Sequence, residues 1–230
     1  MSLRTLRQYL ELLEMSGIEE IFVDSNKKIE PESTAPPKTT KIDKPSKGDL
    51  LRKLENKYKD CQKCPLWKGR NKFVYGEGSP DSKLMIIGEG QGGEENKTGK
   101  PFVGKAGQLL TKILKAINIA RKDVYITNII KCRPPGNRNP KPEEKKKCLG
   151  YLFEQIEIIQ PQVFLLLGRV SATTLFNKTL ALKKFRTMEL NFQGKRTFVT
   201  YHPAALLRNP HWKKYAWEDL KKLRDYYEQK

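Results

Sequence analysis

The chain has 230 residues and a formal net charge of +19, from 45 Lys and Arg against 26 Asp and Glu. That length allows one α/β domain with a real core plus some extra chain, and no apolar run is long enough to span a bilayer. So strong a positive balance points to a polyanionic partner, nucleic acid first, or else to a surface simply biased toward lysine.

Leu3, Leu6, Leu10 and Leu13 fall at helical spacing, with Gly17 as a natural stop. This N-terminal stretch lacks the apolar region of a signal peptide, so a cytosolic (cytoplasmic) location is expected. Residues 21–23 read as a short extended piece. Residues 24–48 are Lys, Pro, Ser and Thr with almost nothing to bury, the composition of a flexible linker. The expected organisation is a helical appendage at 1–23, free or docked, a linker at 24–48, and the main domain at 49–230.

In the main domain, "DLLRKLENKYKD" reads as a helix that delivers Cys61. Four apolar runs follow, at Leu84–Ile87, Val124–Ile130, Val163–Leu167 and Thr197–Thr200, and amphipathic segments alternate with them. Strands alternating with helices imply βαβ units and a parallel sheet, in which ligands bind at the carboxyl ends of the strands. Gly88, Cys132, Gly168 and His202 follow the four runs, so their neighbours can converge on one edge.

Cys61 and Cys64 form a C-x2-C pair, while Cys132 and Cys148 are separated by fifteen residues. Thiolates suit zinc or an iron–sulfur cluster. The second pair is too widely spaced for a zinc knuckle, which favours a cluster bridging two parts of the fold. Two buried or reactive thiols beside a chance C-x2-C are the alternative.

The stretch "GEGQGGEENKTGKPFVG" from Gly88 admits three readings. A dinucleotide fingerprint needs a helix whose N-terminus meets pyrophosphate; here Glu94 and Glu95 would stand where the phosphates bind. A P-loop needs Ser or Thr where Ala106 stands, and Pro101 and Phe102 crowd the loop. A pocket for a flipped-out base accounts for more. Phe102 offers a stacking face, or else is ordinary core. Asn128 offers a donor and an acceptor that match O4 and N3–H of uracil but not cytosine, or else caps a turn. His202 can donate to a carbonyl as charge builds on a leaving base, or else is a satisfied surface histidine. The loop "CRPPGNRNPKPEEKKK" is either a stiff connector or a phosphate contact through Arg133 and Arg138.

Taken in order, the C-x2-C pair, "GEGQGGEENKTGKPFVGKAGQLL", "YITNIIKCRPPGNRNPKPEE", the Cys148 spacing, "LLLGRVSA" and "YHPAALLRNP" are similar to a family-four uracil-DNA glycosylase, the iron–sulfur, thermostable-type branch. The likeness runs from about Leu50 to the C-terminus. It implies a three-layer α/β fold with a central four-stranded parallel sheet flanked by helices, and a structural [4Fe–4S] cluster on Cys61, Cys64, Cys132 and Cys148. It implies a monofunctional glycosylase that leaves an abasic site in uracil-containing DNA. Glu89 and Gly90 would line the uracil pocket, Phe102 would stack on the base, and Asn128 would read its edge. Glu95 would exclude the thymine methyl and His202 would face O2. Leu206 or Leu207, with Arg208, would enter or brace the DNA. Glu89 would act as general base or as electrostatic stabiliser. No lysine stands out as a Schiff-base nucleophile, and no nucleotide cofactor is implied. A monomer is expected, with the N-terminal helix a candidate contact for an unidentified repair or replication partner. The departure is Gln91, where the family has Pro in G-E-x-P-G. Pro fixes φ and removes an N–H; Gln91 restores the donor and loosens the turn, with rate or base range as the expected consequence.

Overall fold

A computed structural model describes residues 45–229. The helix expected at 1–23 and the linker as far as residue 44 lie outside the described residues. In chain order the elements are α1 (Lys47–Tyr58), β1 (Glu77–Gly78), β2 (Leu84–Gly88), α2 (Gly93–Thr98), α3 (Lys105–Ala116), β3 (Tyr125–Asn128), α4 (Pro142–Ile159), β4 (Val163–Leu167), α5 (Arg169–Phe176), α6 (Leu182–Thr187), β5 (Leu190–Phe192), β6 (Lys195–Thr200), α7 (Pro203–Arg208) and α8 (Lys213–Glu228).

Helix α1 begins two residues before the expected boundary at Asp49. Ser46 Oγ accepts the Asp49 N–H at 3.1 Å, and the Asp49 carboxylate accepts the Ser46 N–H at 3.2 Å. This reciprocal cap satisfies two donors that a helix start otherwise leaves open, so Lys47 and Gly48 belong to the helix rather than to a linker.

The sheet has six strands in the order β1-β3-β2-β4-β6-β5. The inner four, β3, β2, β4 and β6, pair in parallel and fall on the four apolar runs. The expected purely parallel four-stranded sheet is corrected at both edges, where β1 and β5 add antiparallel pairs. Strand β5 is joined to β6 through Gln193 and Gly194, both at positive φ (50° and 75°), the backbone that a two-residue hairpin requires.

Alternation along the strands splits the core in two. Met85, Ile87, Phe164 and Leu166 face a cluster that includes Leu51 of α1, Tyr151, Leu152 and Ile156 of α4, Ala172 of α5 and Phe185 of α6. Leu84, Ile86, Val163, Leu165 and Leu167 face Leu110 and Leu114 of α3 and Leu220 and Leu223 of α8. Both faces of the parallel strands are therefore covered, which gives the three layers expected. Among the described residues no helix is long and apolar enough to cross a membrane.

Candidate functional site

Beyond the carboxyl ends of the parallel strands lies a cavity of about 340 Å³, lined by Glu89, Gly90, Gln91, Glu95, Phe102, Ile130, Arg138, His202 and Arg208, among others. Gly88 ends β2 directly opposite Asn128 at the end of β3. A side chain at Gly88 is impossible here. Its Cβ would stand 2.3 Å from Asn128 Oδ1 and 2.6 Å from Phe102 Cζ. Glycine thus lets a base-sized aromatic and a polar amide close on one point.

The segment after β2 folds into the six-residue helix α2. It does not form a phosphate site, because its entrance is already occupied by protein: the Gly92 N–H donates to Glu95 Oε2 at 3.1 Å. Glu95 Oε1 accepts the N–H groups of Val103 and Gly104, each at 2.9 Å. One buried carboxylate therefore ties the turn at Gly92 to the residues that follow Phe102. Phe102 itself is held at φ 52°, a conformation that costs a bulky residue energy and persists only where its surroundings impose it. The resemblance implied methyl exclusion for Glu95. Its hydrogen bonds make it first the clasp that aims Phe102.

His202 caps α7, and its Nδ1 accepts the Ala204 N–H at 3.2 Å. The remaining proton of the neutral ring then sits on Nε2. Part of the imidazole faces the cavity, yet the surrounding protein strips most of its water. That burial, with the positive charge of Arg208 nearby, pulls its pKa down to about 4. His202 is a neutral donor at physiological pH.

Asn128 is 1% exposed. Its Nδ2 donates to Gln91 Oε1 at 3.4 Å. Its main-chain carbonyl accepts from the buried Lys131 Nζ at 3.0 Å, and the same ammonium bonds Gln155 Oε1 at 2.7 Å. Lys131 was absent from the sequence-based site. It anchors the strand end that carries Asn128, and burial pulls its pKa down to about 7. Glu89 sits on the cavity wall, and burial raises its carboxyl above the usual value, opposed by the nearby Lys145. A carboxylate held this way is a better base than a solvated one.

The expected DNA contacts divide. Leu206 is 1% exposed and belongs to the core, so it cannot enter a duplex; Leu207 is 44% exposed, and Arg208 beside it lines the cavity. Arg138 turns its guanidinium onto Glu144 through bonds of 2.6 and 2.9 Å, and so braces the loop before α4. Glu144 also accepts the Lys141 N–H at 2.7 Å, which closes the start of α4 two residues after Pro142. Arg133 donates to Asn137 Oδ1 at 2.8 Å.

Residues 75–221 match the Uracil DNA glycosylase superfamily. This chain belongs to that superfamily. Within it, the chain is 43% identical over 166 residues to a Type-4 uracil-DNA glycosylase of Thermotoga maritima, covering 71% of this chain and 86% of the relative. It is 42% identical over 186 residues to a Type-4 uracil-DNA glycosylase of Sulfurisphaera tokodaii, covering 77% and 84%. It is 44% identical over 172 residues to one of Pyrobaculum aerophilum, covering 70% and 86%.

In this uracil-DNA glycosylase superfamily member the four cysteines line one small pocket, walled by Leu66, Trp67, Phe73, Ile130 and Tyr151. Among the described residues no group of three or more His, Cys, Asp or Glu is arranged to hold a metal ion. The sulfurs nevertheless have the donors that a thiolate-bound group needs. Lys131 N–H approaches Cys148 Sγ at 3.3 Å, Lys63 N–H approaches Cys61 Sγ at 3.5 Å, Arg70 Nη1 approaches Cys132 Sγ at 3.4 Å, and Tyr151 Oη approaches Cys61 Sγ at 2.9 Å. Such hydrogen bonds stabilise sulfur-held clusters. Burial pushes the Cys148 thiol up to about 12, so binding a cation there must displace a proton. Ile130 lines both this pocket and the cavity, and Lys131 bonds both Cys148 and Asn128. Residues 128–132 link the cysteines to the Asn128 amide, which bonds Gln91 of the cavity wall.

Proposed function

We propose that the cavity receives a uracil flipped out of DNA, and that the enzyme hydrolyses its N-glycosidic bond to leave an abasic site. Glu89, Phe102 and His202 line one cavity with Asn128 packed behind it, and this convergence carries the reading. The membership in the superfamily and the type-4 relatives support it.

As the bond from C1′ to the base breaks, negative charge builds on uracil and positive charge on the sugar. The His202 Nε2–H donates to O2 and Asn128 bonds the N3–H and O4 edge, so both stabilise the leaving base. The Phe102 ring stacks on its face. The Glu89 carboxylate favours the sugar cation and orients the water that attacks C1′. Arg208, which lines the cavity, and the exposed Leu207 beside it brace the distorted duplex. The excess of Lys and Arg supplies sequence-independent phosphate binding. The chain acts as a monomer, with its catalytic domain at residues 49–230 extended by the first turn of α1.

Cys61, Cys64, Cys132 and Cys148 would hold a [4Fe–4S] cluster. Through it, these four side chains would join the loop after α1 to residue 132 and to α4. Its part is structural, and catalysis passes through the cavity residues alone.

The products test the reading. Full-length enzyme with a uracil-containing duplex should release free uracil and leave an intact strand that breaks in alkali. Borohydride should trap no covalent adduct, because no lysine attacks C1′. Release of a nucleotide or a trapped adduct contradicts the hydrolytic assignment.

A further inference from the structure

Gln91 is 3% exposed and belongs to the cavity wall. Among the described residues four buried side-chain polar atoms have no partner, and two of them, Gln91 Nε2 and Asn128 Oδ1, lie on this one hydrogen-bonded pair. An orphaned buried donor is unfavourable unless a ligand or water meets it. We propose that Gln91 is a specificity-determining residue whose free side-chain N–H donates to N7 of a deaminated purine, extending excision from uracil to hypoxanthine and xanthine. This rests on the uracil-excision reading above.

The argument follows the base edge. Asn128 reads a ring N–H with Oδ1 and the adjacent carbonyl with the second hydrogen of Nδ2. Gln91 is attached on the Nδ2 side, so its own amide falls beyond that carbonyl. In uracil the next group is C5–H, which needs nothing. In hypoxanthine the same edge is N1–H and O6, and the next group is N7, an acceptor. Thymine adds a methyl at that position, which crowds the Gln91 amide where the C5–H of uracil does not. Guanine has the N1–H, O6 and N7 edge as well, but its 2-amino group brings a donor against the His202 N–H, which in uracil meets O2. Hypoxanthine has only C2–H there, and xanthine has a carbonyl. The discrimination is therefore between a deaminated purine and its parent. A cavity of about 340 Å³ lies within the range of small-molecule sites.

The reaction is the same hydrolysis. Water oxygen bonds to C1′, the C1′–N9 bond breaks with its electron pair going to N9, and the proton from water ends on the released purine. Hypoxanthine lacks the carbonyl that His202 meets, so it is the slower substrate.

Full-length enzyme is assayed on duplexes that carry a single uracil, hypoxanthine, guanine or thymine, alongside Gln91→Leu and Gln91→Glu. Thermal melting reports that each variant is folded, and uracil turnover serves as the reference rate. The wild type should release hypoxanthine more slowly than uracil and spare guanine and thymine. The ratio of kcat/KM for hypoxanthine over uracil should fall about tenfold in Gln91→Leu, the effect of one lost hydrogen bond. In Gln91→Glu, where an acceptor meets N7, it should fall further. Wild-type enzyme that removes uracil but not hypoxanthine overturns the proposal, as does an unchanged ratio in both variants. No uracil release by the wild type overturns the reading beneath it, and the inference with it.

Discussion

The rings of Phe102 and His202 stand with centroids 5.5 Å apart and planes tilted by 34°. They lie a hundred positions apart in the chain. Phe102 is aimed by the Glu95 clasp and His202 by the start of α7. A flat face and a neutral N–H donor meet only because the parallel strands end together. Phe102→Leu keeps a buried apolar side chain but loses the face, so kcat/KM for uracil should drop about tenfold, from a stacking contribution of roughly 1–3 kcal/mol. Unchanged turnover would mean that the ring is core only.

Glu89 trades stability for chemistry. Burial raises its folded-state pKa above the ordinary carboxylate value. The folded protein therefore holds a proton that the unfolded chain has lost, and this contribution to stability falls as pH rises from 4.5 through the raised value. At pH 7 Glu89→Gln should melt higher than the wild type, bind uracil-containing DNA with similar affinity, and hydrolyse it at least a hundredfold more slowly, on the order of the usual effect of losing a catalytic base. Thermal melts, binding and single-turnover rates on one preparation check all three.

His202 has the opposite sign. Its folded-state pKa is about 4, below the ordinary 6.5. Between these values the unfolded chain takes up a proton that the folded chain does not. Stability should therefore fall as pH drops from 6.5 toward 4, by at most roughly 3 kcal/mol, and by less because part of the ring faces the cavity. In His202→Gln that share of the slope should vanish in denaturant titrations. The wild-type pH–rate profile should show no break near 6.5. A break there that is lost in the variant would contradict a neutral donor.

Leu206 and Leu207 are neighbours with opposite surroundings. Leu206→Ala opens a cavity in the core and should cost about 2–5 kcal/mol of stability. Leu207→Ala should leave stability within about 0.5 kcal/mol, as expected of an exposed site, yet slow uracil release from duplex DNA. If single-stranded uracil DNA suffers equally, Leu207 does not act by bracing a duplex.

The cysteine pocket predicts a coloured protein. Iron and acid-labile sulfide should be present, with absorbance near the visible charge-transfer bands of sulfur-bound iron. Cys148→Ser should lose both and melt at lower temperature. Because Lys131 bonds Cys148 and Asn128, the variant should also lose protection of the β3 amides in hydrogen exchange. A stable, colourless wild type with four reactive thiols would remove the cluster from the account.

Much of this was legible in the sequence. The inner strands are buried on both faces, so their apolar runs stand out, and the amphipathic segments that alternate with them mark helices between the strands. Strands β1 and β5 were missed because two or three residues at an edge carry no pattern of their own. The Gln193–Gly194 turn was the available signal for β5. Asn128 and His202 were read from their chemistry at strand ends and Phe102 from its ring in the segment after β2, while Glu89 came only with the resemblance. The clasp of Glu95, the Arg138–Glu144 pair and the Gln91–Asn128 bond were not, because each depends on which loops the fold brings within about 3 Å. Leu206 and Leu207 differ only in the face of α7 they occupy, which their adjacency does not reveal.

The central claim is that this cavity excises uracil and reads it through Asn128. The most direct measurement is the single-turnover rate of strand breakage in alkali for duplexes carrying uracil, thymine or cytosine, with wild type and Asn128→Asp. Wild type should cleave the uracil strand alone. The variant, left with acceptors only, should lose at least about a hundredfold on uracil, as sites built to pair a polar group do when the pairing fails. Equal rates on uracil for the two proteins, or wild-type cleavage of cytosine, would contradict the account.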